Sequence, residues 1–160
     1  FINPIQWKGD AMFVERLNYE KIAPAAVDAL LGVENYVLQS GLEASLIDLV
    51  KLRASQINGC AFCMDMHSKA ARRDGETEQR LYVLNGWREA ALYTPRERAA
   101  LAWTEALTQL PESQAPDSAY EPLGAHFSDK EIVDLTVLIA QINTWNRLAV
   151  GLRRQLPDGA

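Results

Sequence analysis

The sequence predicts an all-α protein, and two observations carry this prediction. Leucine and alanine, which favour helices, outnumber valine and isoleucine by more than two to one. No segment shows the strict alternation of apolar and polar residues that is typical of a half-buried strand. With 160 residues, 48% of them hydrophobic and 23% charged, the chain has a globular composition and is long enough to bury a core without disulfides or metal.

The helices can be placed in chain order from their start and stop signals. A first helix is expected over residues 25–39, with Pro24 at its start. Three further starts are predicted where a Ser or Thr is followed three residues later by an acidic residue, because these two side chains can cap the helix reciprocally. These pairs are Ser45 with Asp48, Thr94 with Glu97, and Ser128 with Glu131.

The remaining boundaries follow from glycine and proline. After Thr94, apolar residues recur every three or four positions until Pro111, and residues 111–122 are expected to form a connecting loop. We expect a single domain over residues 13–160. Residues 1–12 show no clear periodicity and are expected to be either a disordered N-terminal segment or a remnant foreign to the native protein.

A helical hairpin is predicted around the only two cysteines, Cys60 and Cys63. The helix that contains Asp48 should stop at Asn58-Gly59, and a new helix should run from near Cys60 to Asp74-Gly75. Both cysteines would then lie in the first helical turn, where free N–H groups and the helix dipole favour a thiolate.

Two further side chains can join the cysteines in chemistry. His67 follows Cys63 by four residues and therefore lies on the same stripe of its helix. Asp48 precedes Cys60 by twelve residues, so a tight hairpin could bring its carboxylate alongside. A thiolate, a second thiol and an acid–base pair are the groups required for disulfide-forming redox chemistry.

Charge and hydropathy exclude several classes of partner. A net charge of −5 and a pI near 5.1 argue against binding to nucleic acid or an anionic membrane, because both reward clustered Lys and Arg. No apolar run is long enough to span a membrane, and no signal peptide is recognisable. Two closely spaced cysteines do not resemble a secreted disulfide scaffold, so we expect a cytoplasmic protein with reduced thiols.

The segment CAFCMDMH at residues 60–67, preceded by LVKLRASQING and followed by SKAARRDGET, resembles the alkylhydroperoxidase D (AhpD) and carboxymuconolactone decarboxylase superfamily. The match is closest to its small peroxidase-related proteins. It is dense over residues 42–110 and looser through the C-terminal LTVLIAQINTWNRLAVG. The resemblance implies an AhpD-like helical bundle, assembly into trimers, hexamers or similar rings, and cycling of the cysteines between dithiol and disulfide.

The resemblance also implies a role for each site residue. Cys63 would be the peroxidatic thiolate, and Cys60, nearer the surface, would resolve the sulfenic acid and exchange with a reductant. His67 and Asp48 would relay the proton. Two departures stand out: the family's usual relay residue is Glu rather than Asp, and Phe62 replaces a second His found in the best-characterised members. Lactone decarboxylation is disfavoured, because that branch does not depend on a CxxC pair.

Other interpretations of the same residues remain open. The cysteines could be small buried hydrophobes, or could bind zinc together with His67 and Asp48. His67 could be an ordinary core residue, and Asp48 a helix-start carboxylate. Ser55, Gln56 and Asn58 could shape the pocket floor or only end a helix, and His126 is most simply a loop residue. Trp87, Trp103 and Trp145 are expected in the core or at a subunit interface, and Lys69, Arg72 and Arg73 on a solvated face.

The function expected from this sequence is that of a thiol-dependent alkyl hydroperoxide reductase. It would act on a hydroperoxide, be reduced by a dithiol or redox protein, form a homo-oligomer, and need no cofactor or metal. The alternatives are a redox adaptor, sensor or thiol–disulfide oxidoreductase without significant peroxide turnover, and a zinc-stabilised structural module.

Overall fold

The computed structural model describes residues 14–157, and within that range the chain forms helices and turns but no strand. The predicted all-α fold is confirmed. The predicted N-terminal segment, residues 1–12, lies outside the described residues. The helices are α1 (Tyr19–Ile22), α2 (Pro24–Leu38), α3 (Ala44–Asn58), α4 (Ala61–Arg73), α5 (Glu78–Tyr82), α6 (Pro95–Thr108), α7 (Leu110–Ser113), α8 (Asp117–Tyr120) and α9 (Asp129–Leu152), with 3₁₀ turns at Leu84–Gly86 and Glu121–Ala125.

Helix α3 lies at the centre of the bundle and packs against α4, α6 and α9. Eight of its fifteen residues are buried, including Leu49 and Val50 with no exposed surface. Trp87 and Trp103 are also buried, which confirms the prediction of a core role for these two rings. Their indole N–H groups donate to Glu105 and Thr136, as a buried tryptophan requires.

The predicted helix starts at Thr94 and Ser128 are confirmed. Each is the N-cap of its helix, α6 or α9, and each forms a complete capping box with the glutamate three residues later. Pro95 occupies the first position of α6, where its missing N–H costs nothing.

The predicted start at Ser45 is wrong. Helix α3 begins at Ala44, and the N-cap residue is Glu43, whose side chain makes no capping bond. Arg96 of α6 pairs with the Glu43 carboxylate at 2.9 Å. The N-cap therefore lies two residues before the predicted one, and Asp48 is too far along α3 to serve as its helix-start carboxylate.

The predicted loop at residues 111–122 is also wrong in part. The segment contains most of α7, all of α8 and the beginning of a 3₁₀ turn, and α6 ends at Thr108, before the predicted stop at Pro111. Proline starts short helices as readily as it stops long ones, because its fixed φ suits the first helical turn. These short helices connect α6 to α9.

The hairpin of α3 and α4 turns at Gly59, as predicted. Gly59 adopts a left-handed backbone with φ of 65° and caps the C-terminus of α3. The N–H of Cys60 donates to the carbonyl of Ser55 at 3.0 Å, and that of Gly59 to Gln56 at 3.3 Å. This is the Schellman arrangement, which lets α4 begin two residues after the glycine.

Candidate active site

Cys60 and Cys63 are joined by a disulfide at the N-terminus of α4. Cys60 is the N-cap residue, and its sulfur accepts a hydrogen bond from the backbone N–H of Cys63 at 3.3 Å. The predicted placement of the pair at a helix start is confirmed. When this disulfide is reduced, the positive end of the helix dipole favours a thiolate at the same position.

Both cysteines are almost completely buried, whereas the resemblance implied that Cys60 lies nearer the surface. Cys60 is 1% exposed and Cys63 is 2% exposed. They pack against Ala149 of α9 and against Phe62. What distinguishes them is a groove of about 470 Å³ between the start of α4 and the end of α9, which Cys60 lines and Cys63 does not. Access to the disulfide from this groove therefore leads first to Cys60.

The groove beside Cys60 combines apolar walls with positive charge. Val150 and Leu156 contribute apolar surface, and Arg153 and Arg154 contribute guanidinium groups. The guanidinium carbon of Arg154 lies 5.3 Å from the centre of the Phe62 ring. A larger groove of about 620 Å³ lies between α4 and α5, but neither cysteine lines it.

His67 lies one turn beyond Cys63 on α4 and is buried, with 9% of its surface exposed. Burial disfavours the imidazolium, and the ammonium of Lys51 repels it further, so the pKa of His67 falls from 6.5 to about 4. At neutral pH the ring is therefore uncharged and can accept a proton. Cys60, Cys63 and His67 are thus grouped on the inner side of α4.

Asp48 occupies a different part of the hairpin. Its Oδ2 atom is buried and has no hydrogen-bond partner among residues 14–157. Burial, and next the negative charge of Asp74, raise the pKa of Asp48 from 3.8 to about 6, although Lys51 opposes this shift. Asp74 directly follows α4, so this carboxyl faces the end of the hairpin remote from the disulfide. Its predicted approach to the cysteines stays a prediction.

A buried hydrogen-bond network ties the hairpin to α9. The amide nitrogen of Asn58 donates to Asn143 at 3.0 Å and to Asn146 at 2.8 Å. Asn146 in turn donates to the Ser55 hydroxyl at 3.0 Å, and that hydroxyl donates to the carbonyl of Lys51 at 2.7 Å. The network fixes the cysteine end of α3 against the middle of α9. Ser55 and Asn58 therefore do more than end a helix.

The sequence did not reveal the importance of Lys51 and Glu34. Lys51 is 5% exposed, and its ammonium forms an ion pair with Glu34 of α2. A signal was present: Asp48, Lys51, Ser55 and Asn58 are spaced by three, four and three residues, which places four polar side chains on one stripe of the helix. Asn143 and Asn146 had no comparable signal.

The other predicted residues lie away from the disulfide. His126 is exposed after a 3₁₀ turn and does not line the groove at Cys60. Gln56 and the basic side chains Lys69, Arg72 and Arg73 line the larger groove between α4 and α5. Within the described residues, no group of three or more His, Cys, Asp and Glu side chains is arranged to hold a metal ion.

Comparisons with known proteins place this chain in one family. The model of the carboxymuconolactone decarboxylase family matches residues 24–106. The chain is 42% identical over 138 residues to the uncharacterized protein YdfG of Bacillus subtilis, covering 86% of this chain and 94% of that protein. The chain therefore belongs to the carboxymuconolactone decarboxylase family, among its AhpD-like members.

Solved structures give the same fold. A crystal structure from Agrobacterium tumefaciens, described as an AhpD-type antioxidant defence protein of unknown function, is 55% identical, with a TM-score of 0.88 over 91% of this chain and 100% of that chain. The debrominase Bmp8 is 19% identical, with a TM-score of 0.78 over 86% of this chain and 74% of that chain, and shares the fold. The predicted AhpD-like architecture is confirmed.

Across residues 14–157, none of the helices combines the length and apolar character needed to cross a bilayer.

Proposed function

We propose that this protein is a thiol-dependent hydroperoxide reductase that cycles Cys60 and Cys63 between dithiol and disulfide. The observation that carries the proposal is the disulfide at the N-terminus of α4 with a buried, uncharged histidine one turn further along. The AhpD-type description of the 55% identical structure supports it.

The reaction balances with these groups and an external dithiol. The Cys63 thiolate attacks the terminal oxygen of the hydroperoxide, the O–O bond breaks, and the sulfur becomes a sulfenic acid while the alkoxide leaves as an alcohol after taking a proton. The Cys60 thiolate then attacks that sulfur, which forms the disulfide and releases water after a second protonation. Two thiol–disulfide exchanges with a dithiol or redox protein restore the reduced pair. Such a cycle requires a reducing compartment, such as the cytoplasm.

His67 is the proton carrier in this proposal. In the oxidised protein its pKa of about 4 leaves the ring uncharged and free to take a proton. Reduction places a thiolate one turn away on the same helix, and an adjacent negative charge favours the imidazolium. The ring can therefore take the Cys63 thiol proton and return it to the departing alkoxide.

Asp48 is the link between this carrier and solvent. A carboxyl whose pKa is about 6 exchanges protons readily near neutral pH, unlike an ordinary exposed aspartate. It is half-buried, so one side of the carboxyl reaches water while Oδ2 remains in the protein. Because Asp is shorter than the Glu usual in the family, a water molecule bridging to His67 is part of the proposal.

The experiment is peroxide consumption by the purified protein with a dithiol donor. Cys63→Ser should abolish turnover, and Cys60→Ser should complete one oxidation and retain a sulfenic acid that a selective reagent detects. Ala61→Ser is the matched control, because it adds a hydroxyl in the same helical turn and leaves both thiols intact. If both cysteine variants turn over like the wild type, the mechanism is wrong.

The same experiment separates the alternatives. Rapid exchange of the disulfide with thiols, together with no peroxide consumption by the wild type, would identify a redox adaptor, sensor or thiol–disulfide oxidoreductase. Near-stoichiometric zinc in protein purified anaerobically would identify a zinc-stabilised module. Either result would contradict the proposed peroxidase.

A homo-oligomer is also part of the proposal, because α2 is apolar yet mostly exposed. Its sequence, PAAVDALLGVENYVL, contains only one buried residue, Val37. Leu31 and Leu38, which are seven residues apart and therefore share one face of this helix, are 45% and 58% exposed. An apolar face of this extent is typical of a protein–protein contact, and a trimer or hexamer of this chain would cover it.

A further inference from the structure

Lys51 is a buried cation that the proposed reaction does not use. Only 6% of its side chain is exposed, and the Glu34 carboxylate of α2, itself 19% exposed, pairs with it. Taking both charges out of water is costly, and an apolar side chain of similar length at this position would avoid that cost. Core stability therefore does not explain why a lysine stands here.

The hairpin geometry places Lys51 level with His67. Helices α3 and α4 run antiparallel on either side of the turn at Gly59. Ser55 and Cys63 are each four residues from this glycine, and Lys51 and His67 are each eight. At 1.5 Å per residue, equal separations from the turn bring residues to the same height on facing helices. Lys51 is also the charged group that repels a proton on His67.

The charged surroundings of His67 can be stated for both helices that pack against α4. From α3 they are Lys51 and, one turn further from the disulfide, Asp48. On α9 the side chains nearest the Gly59 turn are the uncharged Asn143 and Asn146, and the charged side chain in this half of the helix is Arg147, which bonds to Asn143. Arg153 and Arg154 follow the end of α9 and line the groove at Cys60. On α4 itself, Asp65 and Lys69 neutralise each other as an exposed pair.

We propose that Lys51, held by Glu34, is a positioning residue of the cysteine site. Its ammonium adds to burial in disfavouring the imidazolium of His67 while the disulfide is intact, and it supports the negative charge of Asp48 where burial favours the neutral acid. The carboxylate of Glu34 offsets part of the electrostatic effect that this ammonium has on the His67 ring. The purpose of this pair rests on the proposed function, but the electrostatic effect can be measured without any peroxide turnover.

The test is an NMR titration of the histidine rings in the oxidised protein. The chain contains two histidines, so His67 can be followed individually, with the exposed His126 as internal reference. Lys51→Met should raise the midpoint of the His67 titration by about 0.5–1 pH unit, as expected for removing a charge roughly 8–10 Å away in a medium of intermediate dielectric. Lys51→Arg should restore the wild-type midpoint.

Glu34→Gln gives the opposite change and excludes a merely structural role. It removes the negative partner and leaves the ammonium, so the His67 midpoint should fall. General loosening of the fold would move the midpoints of both variants in the same direction, toward that of an exposed histidine. An unchanged midpoint in folded Lys51→Met protein overturns the proposal, and so does an unchanged midpoint in Glu34→Gln if Lys51→Met does not fold. Peroxide inactivity with opposite midpoint shifts would overturn only the proposed function.

Discussion

The two ends of the α3–α4 hairpin differ in whether their polar side chains have hydrogen-bond partners. At the end that carries the disulfide, the Asn58 amide has two partners on α9, and Ser55 both donates and accepts. At the other end, Asp48 holds a buried oxygen without a partner among the described residues, close to the like charge of Asp74. One end is fixed by satisfied hydrogen bonds, and the other retains a group whose charge is costly.

This difference separates two requirements of thiol chemistry. The sulfurs must be held at a constant distance through repeated bond formation and cleavage, which a satisfied network favours. A group that passes protons between His67 and solvent must instead change charge near neutral pH, which a partly desolvated carboxyl does and a fully paired one does not. Substitutions at the two ends should therefore affect stability in opposite directions.

The largest change in stability is expected from breaking the network. Asn146→Ala removes the partner of both Asn58 and Ser55 and leaves a small cavity at a position that is 1% exposed. The buried Ser55 hydroxyl and the half-buried Asn58 amide then each lose a bond, which should lower the free energy of unfolding by about 2–4 kcal/mol. Urea unfolding of the oxidised protein measures this loss.

The matched control is Gln79→Ala on the exposed side of α5, away from the proposed subunit contact on α2. It also removes a side-chain amide from a helix and should alter stability by less than about 0.5 kcal/mol. Equal losses in the two variants would mean that the network does not fix the cysteine end.

How much of this site could be predicted depends on how local its determinants are. Cys60, Cys63 and His67 lie within eight residues of one helix, so spacing alone places them on a common face. Thr94 caps its helix through a residue three positions away, and that prediction holds as well. In each case, all the interacting groups lie within about two turns of one helix.

The errors and omissions involve contacts between distant parts of the chain. The N-cap of α3 is Glu43 rather than the predicted Ser45. Glu43 bonds to Arg96, which lies 53 residues away in the sequence. The partners of Asn58 lie 85 and 88 residues away. Helical periodicity describes one helix at a time, so it carries no information about which polar side chain on another helix will satisfy a buried group.

The next effect in size is the pH dependence that His67 gives to stability. Its folded-state pKa of about 4 lies below the ordinary value of 6.5, so the unfolded chain binds a proton more readily between these values. The stabilisation by the neutral ring is therefore fully present above about pH 6.5 and is lost as the pH falls through 4. The unfolding free energy of wild type relative to His67→Gln should fall by about 2–3 kcal/mol across this window.

The wild type must be compared with His67→Gln because Asp48 changes the pH dependence of stability in the opposite direction. Its pKa is raised, so its contribution is greatest below about pH 3.8 and is lost as the pH rises through about 6. In the wild type the two effects offset each other, and the difference between wild type and His67→Gln isolates the histidine. His126→Gln controls for loss of an exposed ring, and an equal pH dependence in that control would refute burial as the cause.

The smallest expected change in stability comes from Asp48→Asn, and it has the opposite sign to that of Asn146→Ala. The amide is nearly isosteric and avoids burying a negative charge beside Asp74. A shift of about two pKa units is partly screened by the solvent that reaches this half-buried group, so the variant should be more stable at pH 7 by about 1 kcal/mol. The gain should vanish below about pH 4, where the wild-type carboxyl is itself neutral. Asp28→Asn, exposed on α2, should show no such gain.

Peroxide turnover of Asp48→Asn with a dithiol donor tests why this carboxyl is kept. If turnover falls tenfold or more while stability rises, the energetic cost of burying the Asp48 carboxylate is tied to proton transfer. A destabilised variant would instead show that the two ends of the hairpin do not differ in how they hold their polar groups.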